Sequence, residues 1–285
     1  MKIQGFEDVI KIKSFQIVSK INEHSLCNFC AVIDENKIGF YVNLAMNRTE
    51  SEVKSEDNIL LLKGLVNEIN VIYSESETNI EVTIISSSIL AEENIPEKIR
   101  VFQNTSKTAK DIIDYINNHG TYKFELKKAD KLNNKIPHIV VQDNISDFEF
   151  VKNICADYNY GLIPDVSNNK IVIGESTGNL SVSIDEDYSE KIISIEGIYS
   201  RDNSSVKFRS MKKIDPGTVV CINSSGKNFS AFLNLKKYII TEVTVTEEYE
   251  SVYFDYHAVE RPDYSEYKAD DRFVSVFNAE VTDNN

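Results

Sequence analysis

KGLVNEINVIYSESETNIEVTI at residues 63–84 and KYIITEVTVTEEYESVYFDYHA at residues 237–258 align without a gap at a spacing of 174. Lys63 falls on Lys237, Leu65 on Ile239, Val66 on Ile240, Glu68 on Glu242, Ile69 on Val243 and Val71 on Val245. The next strand follows, with Ile80 on Phe254, Val82 on Tyr256 and Ile84 on Ala258. Strand side chains alternate between two faces, so a slip of one residue would exchange them; matched parity over two strands points to a repeated unit. Chance agreement between two alternating hairpins is the competing reading. A solenoid is excluded, because its repeats run to roughly 20–50 residues. The fold class read from this is β-rich α+β: two similar small β-barrel domains with an α/β insertion between them. Two copies per chain suit a closed ring, and three such chains would set six similar units around an axis.

Working outward, residues 1–90 read as the first β-barrel domain. Candidate strands at 15–20, 26–33, 39–44, 60–73 and 80–86 are rich in Val, Ile, Phe and Tyr and are separated by Asn, Glu and Ser clusters. Residues 91–180 read as the insertion. A helix is predicted over 105–117, with Ala109, Ile112, Ile113 and Ile116 on one face, Thr105 or Ser106 as cap and Gly120 past its end. Ser146-Asp147-Phe148-Glu149 predicts a second helix with a capping box, stapled by Ile145 on Phe150 and burying Phe148, Val151, Cys155 and Tyr158. Strands are predicted at 122–126 and 138–141, and a hairpin at 162–173 around Ser167-Asn168-Asn169. Residues 181–260 read as the second barrel, with strands at 192–199, 205–209, 218–222, 238–246 and 251–259. Asp215-Pro216-Gly217 is a turn before one of them. Residues 261–285 form a polar tail with Asp270-Asp271.

The chain has 285 residues, with 31 Lys and Arg against 45 Asp and Glu, a formal charge of −14. That balance argues against a phosphate-backbone binder or an anionic membrane surface as partner. No apolar run is long enough for a signal peptide or a membrane span, so synthesis in a reducing bacterial cytoplasm is expected. Cys27 and Cys30 form a CxxC, but inside a strand the two face opposite ways; packing is the better reading, as for Cys155 and Cys221.

No catalytic, cofactor or metal residue is assigned. Asp143, Asp147 and Glu149 are the nearest carboxylate cluster, yet Glu149 serves the cap and Asp147 suits the first turn of a helix. Asp185-Glu186-Asp187 lacks the Gly and spaced ligands of a calcium loop. His24, His119, His138 and His257 are scattered, none at helical ligand spacing from another. No Gly-x-Ser-x-Gly elbow occurs, and Gly226-Lys227 followed by Asn228 lacks P-loop spacing. Aromatic alternation in 251–256 could offer a base-stacking platform, but without flanking Lys and Arg it reads as barrel packing.

The segment Val140-Val141-Gln142-Asp143-Asn144-Ile145-Ser146-Asp147-Phe148-Glu149-Phe150-Val151, continuing to Asp157-Tyr158-Asn159-Tyr160-Gly161-Leu162, resembles the baseplate hub proteins of contractile phage tails and tailocins. That group includes the late control protein D family and the hub portion of VgrG spike proteins. Weaker matches are His24-Ser25-Leu26, Leu62-Lys63-Gly64-Leu65-Val66 and Gln103-Asn104-Thr105-Ser106. The resemblance implies a non-enzymatic structural subunit of the virion or particle baseplate. It implies a homotrimer whose pseudo-sixfold ring adapts the sixfold tail tube to a threefold spike, with other baseplate proteins around it. DNA would at most pass through the lumen, whose wall an acidic surface would keep non-adhesive. At 285 residues the spike and any lytic enzyme are expected as separate polypeptides. The alternatives are a baseplate-associated cell-wall-degrading enzyme and a monomeric receptor-binding module.

Overall fold

The computed structural model describes residues 1–96, 99–104, 106–136, 139–168, 170–174, 180–183, 192–199, 203–223, 236–249 and 251–265. Seventeen strands and four α-helices are traced there. In the first part they are β1 (Lys2–Ile3), β2 (Lys11–Lys20), β3 (Leu26–Ile33), α1 (Ile38–Met46), β4 (Glu50–Lys54), β5 (Leu60–Tyr73) and β6 (Thr78–Ser86). The middle carries α2 (Ile89–Glu93), β7 (Arg100–Phe102), α3 (Ala109–His119), β8 (Lys123–Lys127), β9 (Val140–Gln142), α4 (Asp147–Asp157), β10 (Leu162–Asp165) and β11 (Lys170–Gly174). The last part has β12 (Leu180–Ser183), β13 (Ile192–Tyr199), β14 (Ser204–Ser210), β15 (Val219–Asn223), β16 (Lys237–Glu248) and β17 (Ser251–Val259).

The first and last parts share one 12-stranded sheet, ordered β1-β4-β5-β6-β3-β2-β16-β17-β14-β13, with β15 on β16 and β12 on β15. The repeat seen in sequence is repeated in register. Leu65 pairs with Ile85 and Val66 with Ile84, then Asn67 is passed over and Glu68 pairs with Thr83. Likewise Ile239 pairs with Val259 and Ile240 with Ala258, Thr241 is passed over, and Glu242 pairs with His257. The bulges therefore occupy equivalent positions, 67 and 241. A second pair of bulges agrees: the β2–β3 register shifts between Ile12 and Ser14, and the β13–β14 register between Ile192 and Ser194. The array β4-β5-β6-β3-β2 thus recurs as β15-β16-β17-β14-β13, down to Ser51 opposite Gly64 and Val220 opposite Tyr238. A bulge bends its strand and raises the local twist, so conserved bulges give the two arrays the same curl. The copies differ outside this array, where β1 meets β4 antiparallel but β12 meets β15 parallel.

One hydrophobic cluster runs under both arrays, from Ile17, Phe29, Val66 and Val82 to Val206, Phe208, Val243 and Tyr256. A separate core holds the middle segment together, including Ile112, Ile113, Ile116, Phe148, Phe150 and Val151. Ile21, Ile163 and Val172 form a small third cluster between β10–β11 and the end of β2.

Several local expectations need correction. Residues 39–44 lie in helix α1, not in a strand. Asp34 caps a 3-10 turn at Glu35–Lys37 that leads into α1, and Ile38, Tyr41 and Ala45 repeat at helical spacing toward the core. Tyr41 is buried and stacked on Phe6 with ring centroids 5.5 Å apart. Helix α3 is capped by Thr108, whose Oγ1 accepts from Asp111 N at 3.1 Å while the Asp111 carboxylate accepts from Thr108 N at 2.7 Å. Ser106 instead donates to Asn104 Oδ1, and Thr105 lies outside the described residues. Ser146 caps α4 as expected, accepting from Glu149 N at 3.0 Å. The Glu149 carboxylate, however, pairs with Lys152 one turn on rather than reaching back. Tyr158 is half-buried at the helix end, while Asp147, Ile154 and Ala156 join the buried set.

Candidate assembly surface

The residues weighed for chemistry do not converge. Asp147 is buried at the head of α4 and gathers three partners. Arg100 Nη1 donates to its Oδ1 at 2.7 Å and Gln142 Nε2 at 2.8 Å, while Asn94 Nδ2 donates to Oδ2. Gln142, fully buried, also accepts from Arg100 at 3.1 Å and donates to Ile145 O at 3.1 Å. This knot ties β7, β9 and α4 together and engages both oxygens of the Asp147 carboxylate. Its Gln142 and Asp147 belong to the stretch that carried the sequence resemblance, so that part of the motif marks a buried polar joint.

His24 is also a joint. Its Nδ1 lies 2.8 Å from Ser88 Oγ, its Nε2 3.8 Å from Glu92, and its ring 4.3 Å from Phe148. Burial, with the Lys152 charge adding, pushes its pKa down to about 4. His119 stacks on Tyr115 at the end of α3. His257 lies in β17, and burial lowers its pKa against the opposing pull of Glu242. Cys27 is buried and Cys30 is half-buried on the opposite face, with Cys155 buried and Cys221 half-buried. Burial raises the Cys27 and Cys155 thiols well above the ordinary range. Among the described residues no group of three His, Cys, Asp or Glu could hold a metal. His138, Asp185-Glu186-Asp187, Gly226-Lys227-Asn228 and Asp270-Asp271 lie outside the described residues. Of the aromatic alternation at 251–256, Phe254 and Tyr256 point into the core and pack with ring centroids 6.3 Å apart.

The feature that sequence reasoning missed is the junction between the two arrays. β2 and β16 pair antiparallel, with Lys20 opposite Glu242, Ser19 opposite Val243, Val18 opposite Thr244, Ile17 opposite Val245 and Gln16 opposite Thr246. At the bulge the Thr241 carbonyl accepts from Ile21 N at 3.0 Å. Lys20 and Glu242 form an ion pair at 3.7 Å. The outward face of the sheet carries Lys20, Glu81, Glu242, Lys207, Arg209 and Asp255, both signs mixed. On it Arg209 grips Asp255 with two bonds, Nε at 2.7 Å and Nη2 at 2.8 Å.

Two of the strand edges that have no partner strand among the described residues belong to the repeated arrays and carry exposed apolar residues. One is the 68–72 part of β5, since β4 covers only Leu60–Leu65. The other is the outer edge of β13. Ile72 on the first and Ile198 on the second are 41% and 45% exposed. Open edges with exposed apolar residues are a hazard that natural sheets normally cover. No helix among the described residues is long and apolar enough to cross a membrane.

No protein-family model matches the chain, and no curated protein matches it in sequence. Among solved structures, the E. coli c3393 protein superposes with a TM-score of 0.64 at 16% identity, over 92% of this chain and 77% of that one. That protein is described as a component of the type VI secretion system with structural similarity to T4 bacteriophage tail proteins gp27 and gp5. The prophage MuSo2 43 kDa tail protein from Shewanella oneidensis gives 0.64 at 10% identity, over 89% of this chain and 98% of that one. The tail protein from Neisseria meningitidis MC58 gives 0.63 at 9% identity, over 89% and 93%. At such identities the likeness establishes a shared fold, and the β-rich α+β architecture expected from the sequence is the one these tail proteins have.

Proposed function

We propose that the chain is a structural baseplate hub subunit of a contractile injection system, a phage tail or a tailocin. Three copies would form a pseudo-sixfold ring that adapts a sixfold tail tube on one side to a threefold spike on the other. In this reading residues 1–90 and 181–260 are the two tube-like units, residues 91–180 the insert between them and residues 261–285 a tail. The observation that carries it is the five-stranded array repeated with the same register and the same two bulges. Two units with matching bulges in one chain supply two of six places around a ring, while β1 and β12 outside the array differ in direction and so occur once per chain. That is the geometry a sixfold-to-threefold adaptor requires. In this reading the chain is related to the late control protein D family and the VgrG hub, and the role is non-enzymatic. The mixed charges of the outward sheet face would line a channel through which DNA passes without specific contacts. Native mass measurement, with and without tube and spike partners, tests the proposal. A stable trimer is expected, and averaged micrographs should place it between tube and spike. A chain that stays monomeric even with those partners would sink it.

A further inference from the structure

The internal junction states what an open edge of this sheet accepts. β16 presents residues 242–246 to residues 16–20 of β2. The repeat carries β16 onto β5, so the equivalents of residues 242–246 are residues 68–72. It carries β2 onto β13, where the shared bulge and the pairing of Gly197 with Val206 put Gly197 in the place of Ile17, itself paired with Cys27. Both equivalents are the open edges described above. They lie at opposite ends of the continuous run β5-β6-β3-β2-β16-β17-β14-β13, and within this chain they do not pair with each other.

Burial shows what each edge lacks. Val243 and Val245 are buried under β2, whereas their equivalents Ile69 and Val71 are only half-buried. Glu242, Thr244 and Thr246 are half-buried, whereas Glu68, Asn70 and Ile72 are exposed. On the partner strand Ile17 and Ser19 are buried, but Gly197 is half-buried and Tyr199 exposed. Ile69 and Val71 already pack against the main core, as does Ile195 on β13, so both edges present the right face for a shared extension of that core.

We infer that β5 of one copy pairs antiparallel with β13 of the next copy, in the register of the β2–β16 junction: Ile69 opposite Tyr199, Asn70 opposite Ile198, Val71 opposite Gly197 and Ile72 opposite Glu196. This rests on the ring reading above and gives it residue-level contacts. The contact is heterologous, head to tail, so it closes into a ring if the rotation per copy closes and extends into a filament if it does not. Internal and intermolecular junctions then alternate around the sheet, each adding a strand edge to a strand edge. Core-face residues Ile69 and Val71 become covered as Val243 and Val245 are, and the exposed Ile198 and Ile72 become half-buried as their equivalents Val18 and Thr246 are.

Directly opposed residues on antiparallel strands have Cβ atoms about 4.5–5.5 Å apart, within reach of a short thiol cross-linker. In a Cys30→Ser/Cys221→Ser background, Asn70→Cys/Ile198→Cys is expected to give a covalent trimer on a denaturing gel. Asn70→Cys or Ile198→Cys alone should stay a single chain, because a head-to-tail contact never brings two copies of one position together. Asn70→Cys/Tyr199→Cys places the thiols on opposite faces and should give less than about a tenth of the yield. A ladder of covalent products beyond three supports the edge pairing and overturns closure at three. Cross-linked dimers from either single variant, or equal yield from the out-of-phase pair, overturn the inference. If light scattering shows a trimer but Asn70→Cys/Ile198→Cys does not cross-link, the register is wrong and the hub reading survives. If the chain is a monomer in every condition, both fall.

Discussion

Asn22 and Leu162 hold each other by a reciprocal pair of hydrogen bonds: Asn22 N donates to Leu162 O at 2.7 Å, and Leu162 N donates to Asn22 Oδ1 at 2.8 Å. Both residues are buried, and Asn22 sits at φ 68°, a left-handed conformation in which Asn is tolerated. The pair latches the end of β2 to the first strand of the β10–β11 hairpin.

Asn22→Gly keeps the backbone conformation and removes only the acceptor, leaving a buried Leu162 N–H without its partner. A loss of about 1–3 kcal/mol in unfolding free energy is expected from urea titration. Asn22→Ala should cost more, because a Cβ without a local hydrogen bond adds about 1–2 kcal/mol in that conformation.

Arg100→Met leaves the Asp147 carboxylate buried with only neutral donors. Breaking a buried pair from one side costs about 3–5 kcal/mol. The middle segment, which has its own core, should become the first site of cleavage in limited proteolysis, ahead of the sheet. Unchanged cleavage kinetics would show that Gln142 and Asn94 hold Asp147 by themselves.

Much of the sheet was legible in sequence, and the reason is parity. The gapless match of residues 63–84 with 237–258 survived because the bulge at Asn67 and the bulge at Thr241 are both present; a bulge shared by two copies leaves no gap to detect. For the same reason the bulges themselves could not be read. Residues 39–44 read as a strand because Phe40, Tyr41 and Val42 favour strands and a nine-residue helix is too short for its period to outweigh that preference. Ser146 as a cap and Asp147 in the first helical turn are both legible, but the pairing of Asp147 with Arg100 is not, since nothing local announces a partner 47 residues away. The β2–β16 junction left no trace, because alternation is the same whether a strand edge is paired or open.

His24 makes stability depend on pH. Burial first, then the Lys152 charge, lowers its pKa from 6.5 to about 4, so the fold favours the neutral ring. Its contribution is therefore complete above the unfolded value of about 6.5 and is lost as pH falls toward 4, reaching about 3 kcal/mol. Glu92, whose pKa burial raises, works in the opposite sense over the same joint. Comparing the chain with His24→Gln between pH 7.5 and 4 isolates the histidine: the variant should show the shallower loss.

Gly64→Ala would place a Cβ 2.2 Å from the Ile85 carbonyl oxygen, a backbone atom that cannot swing away. β5 must then part from β6, at about 1–3 kcal/mol by the usual cost of overpacking. A lowered thermal midpoint checks it.

Tyr256→Phe removes a hydroxyl that accepts from Ile214 N at 2.9 Å and donates to Lys212 O. The turn between β14 and β15 loses its anchor while the ring packing against Phe208 remains. About 1–3 kcal/mol should be lost, with exchange of the Ile214 amide accelerated.

The position of β2 also sets an order of events during synthesis. Its inner edge meets β3 within a few residues of chain, but its outer edge meets β16, made when most of the chain has already left the ribosome. Such distant pairing gives the sheet a high contact order, and folding slows accordingly. Until residues 242–246 arrive, the nascent first array exposes a backbone ladder at residues 16–20 that any other extended segment could occupy. Residues 16–20 therefore wait on that edge until the second array has been made, and the junction is among the last contacts of the sheet to form.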